Sequence, residues 1–205
     1  MRLELTEVLA CPHCGPEHGL IAFVDQMDAR RITAGRLDCP ICEQRHPIRG
    51  GVVYMRGSDS TDVGDSTCTP TDSGMAELAA ALLGAPTGPE ILFVGPGLAS
   101  VATSLADMRP LASVLAYADP LPEWHERVHW IVPAAGAPLP MRSARLHGVV
   151  VVGTDSVEPA EAGRILVPGS RLVILAPGPE VPTFLPAGPV RELASDSRAW
   201  VGVRA

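Results

Sequence analysis

Four cysteines constrain this chain more than anything else in it. Cys11-Pro12-His13-Cys14 and Cys39-Pro40-Ile41-Cys42 are two C-x2-C pairs separated by 24 residues. Each pair can set two thiolates on one tight turn, and two such turns face to face make the tetrahedral sulfur cage that zinc prefers. The gap is somewhat longer than ordinary ribbon spacing and leaves room for a hairpin between the pairs. Four thiolates leave a bound zinc no open position for water, so the site reads as structural, with metal binding supplying much of the folding energy of so small a unit. A redox dithiol and an iron–sulfur site are the alternative readings of the same spacing. His13, His18 and His46 are the other nearby metal-ligating types, and their ordinary role is as surface or supporting histidines. Cys68 stands alone in a polar stretch and reads as an exposed thiol.

The remaining length decides what else the chain can hold. With 205 residues there is room for one small module and one compact α/β domain, and none for two full-sized domains. Pro and Gly number 21 and 20, yet 46% of the residues are apolar, so the chain can bury a core. Aromatics are only 4%, and Ala, Val, Leu and Ile must fill that core. Every one of the 16 basic residues is Arg, a codon-composition effect. The net charge of −7 is unevenly placed: residues 1–57 carry 7 Arg and 7 acids, whereas 58–205 carry 9 Arg and 16 acids. Such a balance speaks against direct nucleic-acid binding, which normally shows a basic face. No run approaches 18 uninterrupted apolar residues, and MRLELTEVLACP has acids where a signal peptide needs a basic end. The expectation is a cytoplasmic protein with no membrane association.

Residues 58–74, SDSTDVGDSTCTPTDSG, are small, polar and acidic and read as a flexible linker. The division expected is therefore a ribbon at 1–57, the linker at 58–74 and a second domain at 75–205. After the linker, MAELAAALLG has helical composition and stops at Gly84 and Pro86. Apolar runs at 90–95, 112–118, 127–132, 145–153 and 171–177 read as strands, the segment at 98–108 as a helix, and 189–204 as a hairpin turning near Ser195-Asp196-Ser197. The strands are apolar throughout, which fits a parallel sheet covered on both faces. The fold class that follows is α/β: a small zinc ribbon, then a trimmed Rossmann-like, mostly parallel sheet that ends in an antiparallel hairpin.

LTEVLACPHC, LDCPIC and HPIRGGVVYM together resemble the small zinc-ribbon proteins that bind and activate methyltransferases acting on tRNA, rRNA and release factors. The likeness covers about residues 3–56 and includes a helix before Cys11, both cysteine pairs and the Pro47-Ile48…Gly51-Val52 exit. His46 stands where that family has an aromatic residue, and Val53 where it has proline.

The order of elements from Glu90 onward is similar to a class I S-adenosylmethionine (SAM) dependent methyltransferase. ILFVGPGLASVA occupies the place of the glycine-rich cofactor turn, and the resemblance assigns Gly95 and Gly97 to cofactor binding. Phe93 stands where the family has an acid, and Ala99 where it has a third glycine. Asp119, at the end of VLAYAD, is the counterpart of the acid that holds the ribose hydroxyls. EAGRILVPGSRLVILAP is similar to the family's helix, Pro-Gly turn and fifth strand, and His147-Gly148 replace a Phe-Asp pair. Asp155, in Thr154-Asp155-Ser156, is either a base toward an acceptor or the N-cap of the next helix. His125-Glu126-Arg127-Val128-His129 spells the H-E-x-x-H metalloprotease motif, but that motif needs a sustained helix, and prolines with a strand-like run surround it here.

Two functions follow from these likenesses. One is a SAM-dependent methyltransferase-like protein with a structural Zn2+ in its own ribbon, acting on an unidentified acceptor. The other is a non-catalytic scaffold or regulator, because the shortage of length falls on the helices that build substrate pockets. A sheet face left bare by those helices would take a protein partner or a second copy of the chain.

Overall fold

In the computed structural model of the chain, the described residues are 1–55, 73–85, 88–117, 125–133, 137–152, 157–175 and 189–205. The region after the first residues begins with a short 3-10 turn at Leu3–Glu7, where the likeness to the ribbon family implies a helix. β1 (Ala10–Cys11) and β2 (Gly15–Gly19) form a small antiparallel pair. β3 (Ile21–Asp28) and β4 (Arg31–Asp38) are the hairpin expected between the cysteine pairs, and β5 (Arg45–Arg49) and β6 (Val52–Tyr54) continue it antiparallel.

The second part runs α1 (Ser73–Leu83), β7 (Glu90–Val94), α2 (Ala99–Met108), β8 (Ala112–Tyr117), β9 (Val128–Val132) and β10 (Leu146–Val152). It finishes with α3 (Pro159–Ile165), β11 (Leu166–Leu175), β12 (Val190–Ser195) and β13 (Ala199–Arg204). Each expected strand is present within one or two residues except β11, which starts at Leu166 rather than 171. Its first half pairs only weakly with β10, slipping register between Leu146 and Gly148, and Gly169 turns through φ +82°. α1 ends where glycine allows it: Gly84 takes φ +80°. Two arginines finish that end. The Arg109 guanidinium, buried and paired with Glu90 at 2.6 Å, donates to the carbonyls of Ala80 and Gly84, and Arg171 donates to that of Leu82 at 2.8 Å.

Strand order settles the architecture. β9-β8-β7-β10-β11 lie side by side and parallel, which is the 3-2-1-4-5 order of a doubly wound α/β sheet. β13 then pairs antiparallel with β11, and β12 closes the edge antiparallel to β13. This is the expected mostly parallel, Rossmann-like sheet with a terminal antiparallel hairpin.

The ribbon does not stand apart from it. β6 pairs parallel with β9 through Val53 opposite Ile131 and Tyr54 opposite Val132, and the Met55 N–H reaches the Val132 carbonyl at 2.8 Å. One sheet of eleven strands results, with β12 at one edge and β3 at the other. A second seam joins the parts. Leu9 and Met141 form an antiparallel bridge, the Ala10 N–H donates to the Pro140 carbonyl at 3.0 Å, and the Arg142 N–H to that of Val8 at 2.8 Å.

The sheet has two apolar faces. Leu92, Val94, Val114, Ala116, Val128 and Trp130 pack on one side against α1 and α2. Phe93, Leu115, Tyr117, Ile131, Val149 and Val151 face the other side, and there the cover comes from α3 and from Met1, Leu5, Val8 and Leu9 of the ribbon. The sequence leads one to expect this face bare and ready for a partner. Instead the chain covers it from within, because apolar residues that precede the first cysteine pair pack against the strands there. Four of the ribbon's exposed large apolar side chains, Ile21, Phe23, Val24 and Met27, lie on edge strand β3, and Leu3 and Ile41 lie off it. Among the described residues, no helix is long and apolar enough to cross a membrane.

The H-E-x-x-H residues are not on a helix. His125 precedes β9, accepts the Arg127 N–H on Nδ1 and turns Nε2 to Asp107 of α2 at 3.2 Å. His129 lies within β9, wholly buried, with no hydrogen-bond partner for either ring nitrogen among the described residues. Burial, followed by the positive charges of the chain's amino group, Arg31 and Arg2, pushes its pKa down to about 2. An unfolded histidine titrates near 6.5, so below that pH the unfolded chain takes up a proton the folded chain refuses, and stability falls with pH. The expected loss between pH 6.5 and pH 5 is about 2 kcal/mol. In denaturant titrations across this range, a His129→Leu variant should lose correspondingly less than the parent, and parallel curves would contradict the assignment.

Candidate metal centre and ligand crevice

Local backbone geometry explains how each cysteine pair turns. Gly15, directly after Cys14, adopts φ +96°, a region that side chains rarely enter, and this folds the first knuckle back into β2. At the second knuckle the Glu43 N–H closes onto the Cys39 carbonyl at 3.0 Å and the Cys39 N–H onto that of Gln44 at 2.9 Å, with Glu43 at φ +58°. The β3–β4 hairpin, with Ile21 opposite Asp38, brings the chain after the first knuckle beside the start of the second.

The four sulfurs lie within 4.8 Å of one another. Across the knuckles, Cys11 Sγ and Cys42 Sγ are 3.6 Å apart, and Cys39 Sγ and Cys14 Sγ 3.7 Å. All four are free thiols. Sulfurs bound at about 2.3 Å around a tetrahedral zinc sit about 3.8 Å apart, so the donor set fits that ion in number, chemistry and spacing. Without a cation the thiols resist shared ionisation. Cys14 is pushed up to about 12, first by hydrogen bonding with Cys42 and then by burial and the other thiols, and burial likewise raises Cys11. At Cys39 burial opposes the thiolate, but backbone N–H groups of Cys42 and Ile41 overcome it and bring the pKa down to about 7. A dication would reverse this frustration. No histidine belongs to the cluster. His46 is neither a ligand nor a surface residue: it lies buried in β5 opposite Leu37, and burial lowers its pKa.

The second candidate site lies where the strand order reverses, between β7 and β10, at the carboxyl ends of the strands. Gly95 continues the ladder, donating its N–H to the Val150 carbonyl at 2.9 Å, and a Cβ on it would stand 3.0 Å from Val151 Cγ1. Close packing of β7 against β10 thus accounts for glycine at this position. Gly97 is different: it takes φ +75°, is exposed, and a Cβ there would meet nothing within 4 Å. The turn needs glycine, and the space beside it is open to a ligand. Leu98 is the N-cap of α2 and its side chain makes no capping hydrogen bond to the first amides of that helix.

Beneath this turn the chemistry is apolar. Phe93 is fully buried and meets Tyr117 edge to face, with ring centroids 5.2 Å apart and planes at 81°. The carboxylate that the methyltransferase likeness implies at position 93 is replaced by a core contact. Tyr117 carries no signal in the sequence beyond its place in a strand. Burial raises its pKa well above that of a free phenol, with the Glu161 carboxylate adding to the effect. Asp119 and the Thr154-Asp155-Ser156 triplet lie outside the described residues, as do Cys68 and residues 58–72 of the linker. The N-cap of α3 is Glu158 rather than Asp155. His147-Gly148 serve packing: the Ile91 N–H donates to His147 Nδ1 at 3.1 Å, and Gly148 admits Leu83, whose Cδ2 stands 2.7 Å from where a Cβ would be.

No family model matches the chain, and no curated protein matches it. Among solved structures, it is similar to an Anabaena variabilis protein assigned as a methyltransferase of an antibiotic biosynthesis pathway. That likeness has 20% identity over 56% of this chain and 49% of the other, with a TM-score of 0.44. The antibiotic-resistance methyltransferase Kmr matches at 14% identity over 69% of this chain and 97% of its own, TM-score 0.44. A chain from the Haloferax volcanii complex of the Trm112 methyltransferase activator with a protein assigned as a methyltransferase matches at 16% identity over 51% and 52%, TM-score 0.41. The chain spans about half the length of the first of these.

Purified protein is expected to carry one zinc per chain by elemental analysis. Cys39→Ser should abolish that stoichiometry, and acidification should release the metal as protons compete for the thiolates. In the crevice, Phe93→Ala should cost about 3–5 kcal/mol in chemical denaturation. Gly97→Ala should cost only about 1–2 kcal/mol, the strain of its backbone conformation.

Proposed function

We propose that the chain is a SAM-dependent methyltransferase-like protein whose built-in ribbon, held by a structural Zn2+ on Cys11, Cys14, Cys39 and Cys42, covers one face of the cofactor-binding sheet. The observation that carries this reading is the Gly95-Pro96-Gly97 turn. It stands at the reversal of the strand order, with Gly97 forced into a positive φ beside open space and α2 starting without a side-chain cap behind it.

Such a turn lets backbone amides approach the methionine end of the cofactor closely. Asp119, which follows β8 in the sequence, is the group we assign to the ribose hydroxyls. SAM when bound supplies a methyl group already activated as a sulfonium. What the protein must add is an in-line approach for an acceptor and exclusion of water. The ribbon and Phe93 contribute to the second of these by keeping the floor of the crevice dry.

The ribbon also accounts for how so short a second domain stands. Its likeness to proteins that bind methyltransferases, and its β6–β9 and 8–10/140–142 seams, support the reading that it acts in cis as a covalently attached stabilising subunit.

The buried Phe93–Tyr117 contact favours a second reading, a scaffold that has kept the fold and lost the ligand. Calorimetric titration with S-adenosylhomocysteine separates the two. The methyltransferase-like reading expects saturable heat that Gly97→Val weakens by about tenfold or more, with a melting curve recorded to subtract strain. Absence of heat at millimolar ligand, in protein with its full zinc content, would leave the scaffold reading.

A further inference from the structure

The segment that joins β9 to β10 is held from two sides. On the ribbon side, the residues just before the ligand Cys11 grip it: Ala10 N–H donates to the Pro140 carbonyl at 3.0 Å, Arg142 N–H to that of Val8 at 2.8 Å, and Leu9 bridges Met141. On the other side stands Arg164 of α3. Its guanidinium donates to the Met141 carbonyl at 2.7 Å and the Leu139 carbonyl at 3.3 Å, and Glu161 fixes it with contacts of 3.0 and 2.8 Å. The backbone repeats the connection. Ala144 N–H donates to the Arg164 carbonyl at 2.9 Å and Arg145 N–H to that of Ile165 at 2.8 Å. Met141 and Leu139 are buried in the same core as Leu9, Tyr117 and Ile165. No helix forms in residues 137–145, so these contacts are what fix the segment among the described residues.

We infer that residues 139–145 are a strut that couples the metal centre to helix α3, with Arg164 as its positioning residue, so that metal occupancy sets how firmly α3 stands beside the crevice. The path is short and continuous: Cys11, Ala10, the 140–142 bridge, Arg164, then α3, whose Ala162 and Ile165 lie in the same core as Tyr117 at the end of β8. Arg suits the place because one planar guanidinium reaches two carbonyls and a carboxylate together, which Lys, a single point charge, does not. Coupling of this kind is reciprocal: what firms one end firms the other.

This inference deepens the methyltransferase-like reading, but its first test does not depend on that reading. Hydrogen exchange is followed on the full chain, zinc-loaded and after chelation. The strut account expects the amides of Arg142, Ala144 and Arg145 to lose protection together, by about tenfold or more beyond any loss at β10–β11 amides such as Val150. In zinc-loaded Arg164→Met, Ala144 and Arg145 should exchange fast with zinc content unchanged, and Arg164→Lys should restore them only in part. Chelation that exposes Arg142 alone, or none of the three, overturns the coupling. A second arm measures S-adenosylhomocysteine affinity with and without zinc. The coupling predicts at least about a fivefold loss on chelation in the parent and little change in Arg164→Met. If the zinc-loaded parent binds no S-adenosylhomocysteine, the cofactor reading fails, and the exchange result still decides the strut.

Discussion

The rest of the structure depends on the burial of one face of the parallel sheet by the ribbon. A doubly wound sheet needs cover on both sides, because its strands are apolar on both. α1 and α2 supply it on one side, and on the other the apolar residues around the first cysteine pair do so, with Met1, Leu5, Val8 and Leu9 set against Leu115, Tyr117 and Ile131. The ribbon is in turn too small to hold a fold by apolar burial alone, and four thiols 3.6–3.7 Å apart across its knuckles mark where a metal would fix it. Each part thus lends the other what it lacks: the ribbon provides cover, and the sheet provides an edge for β6 and a surface for the ribbon's apolar residues.

Much of this was legible in the sequence. The two C-x2-C pairs foretold a sulfur cage, and the apolar runs foretold the strands of the second part, because cysteine spacing and strand composition are local properties. The pairing of β6 with β9 is not local. It rests on two residue pairs, Val53 with Ile131 and Tyr54 with Val132, and nothing in VVY or WIV names its partner. The ribbon-family likeness implies only a helix before Cys11, and the tertiary structure reveals that Leu5, Val8 and Leu9 there fill a second core. The surrounding prolines and strand-like run already set the H-E-x-x-H motif aside as a metal site, but only the tertiary structure shows His129 wholly buried in β9.

The candidate crevice shows where sequence likeness and physical role separate. Gly95 and Gly97 look equivalent as letters, yet Gly95 is demanded by the approach of Val151 and only Gly97 leaves space that packing does not use. Phe93, in the place of an acid, has become a core residue. The ribose-binding assignment rests on Asp119, just beyond the last described residue of β8. The proposed function therefore turns on a short turn and a helix start, while most of the resemblance in the second part is scaffold.

The central claim is that the ribbon and the sheet are one cooperative unit held by the metal centre. Trp130 and Trp200 both sit in the second part, buried in β9 and β13, and report on it directly. Urea unfolding of the full chain, read by tryptophan fluorescence with zinc bound and after chelation, tests the claim. The account predicts that chelation moves the tryptophan transition to lower denaturant, in step with the loss of far-ultraviolet strand signal. A tryptophan transition that stays in place when the zinc is removed would contradict it.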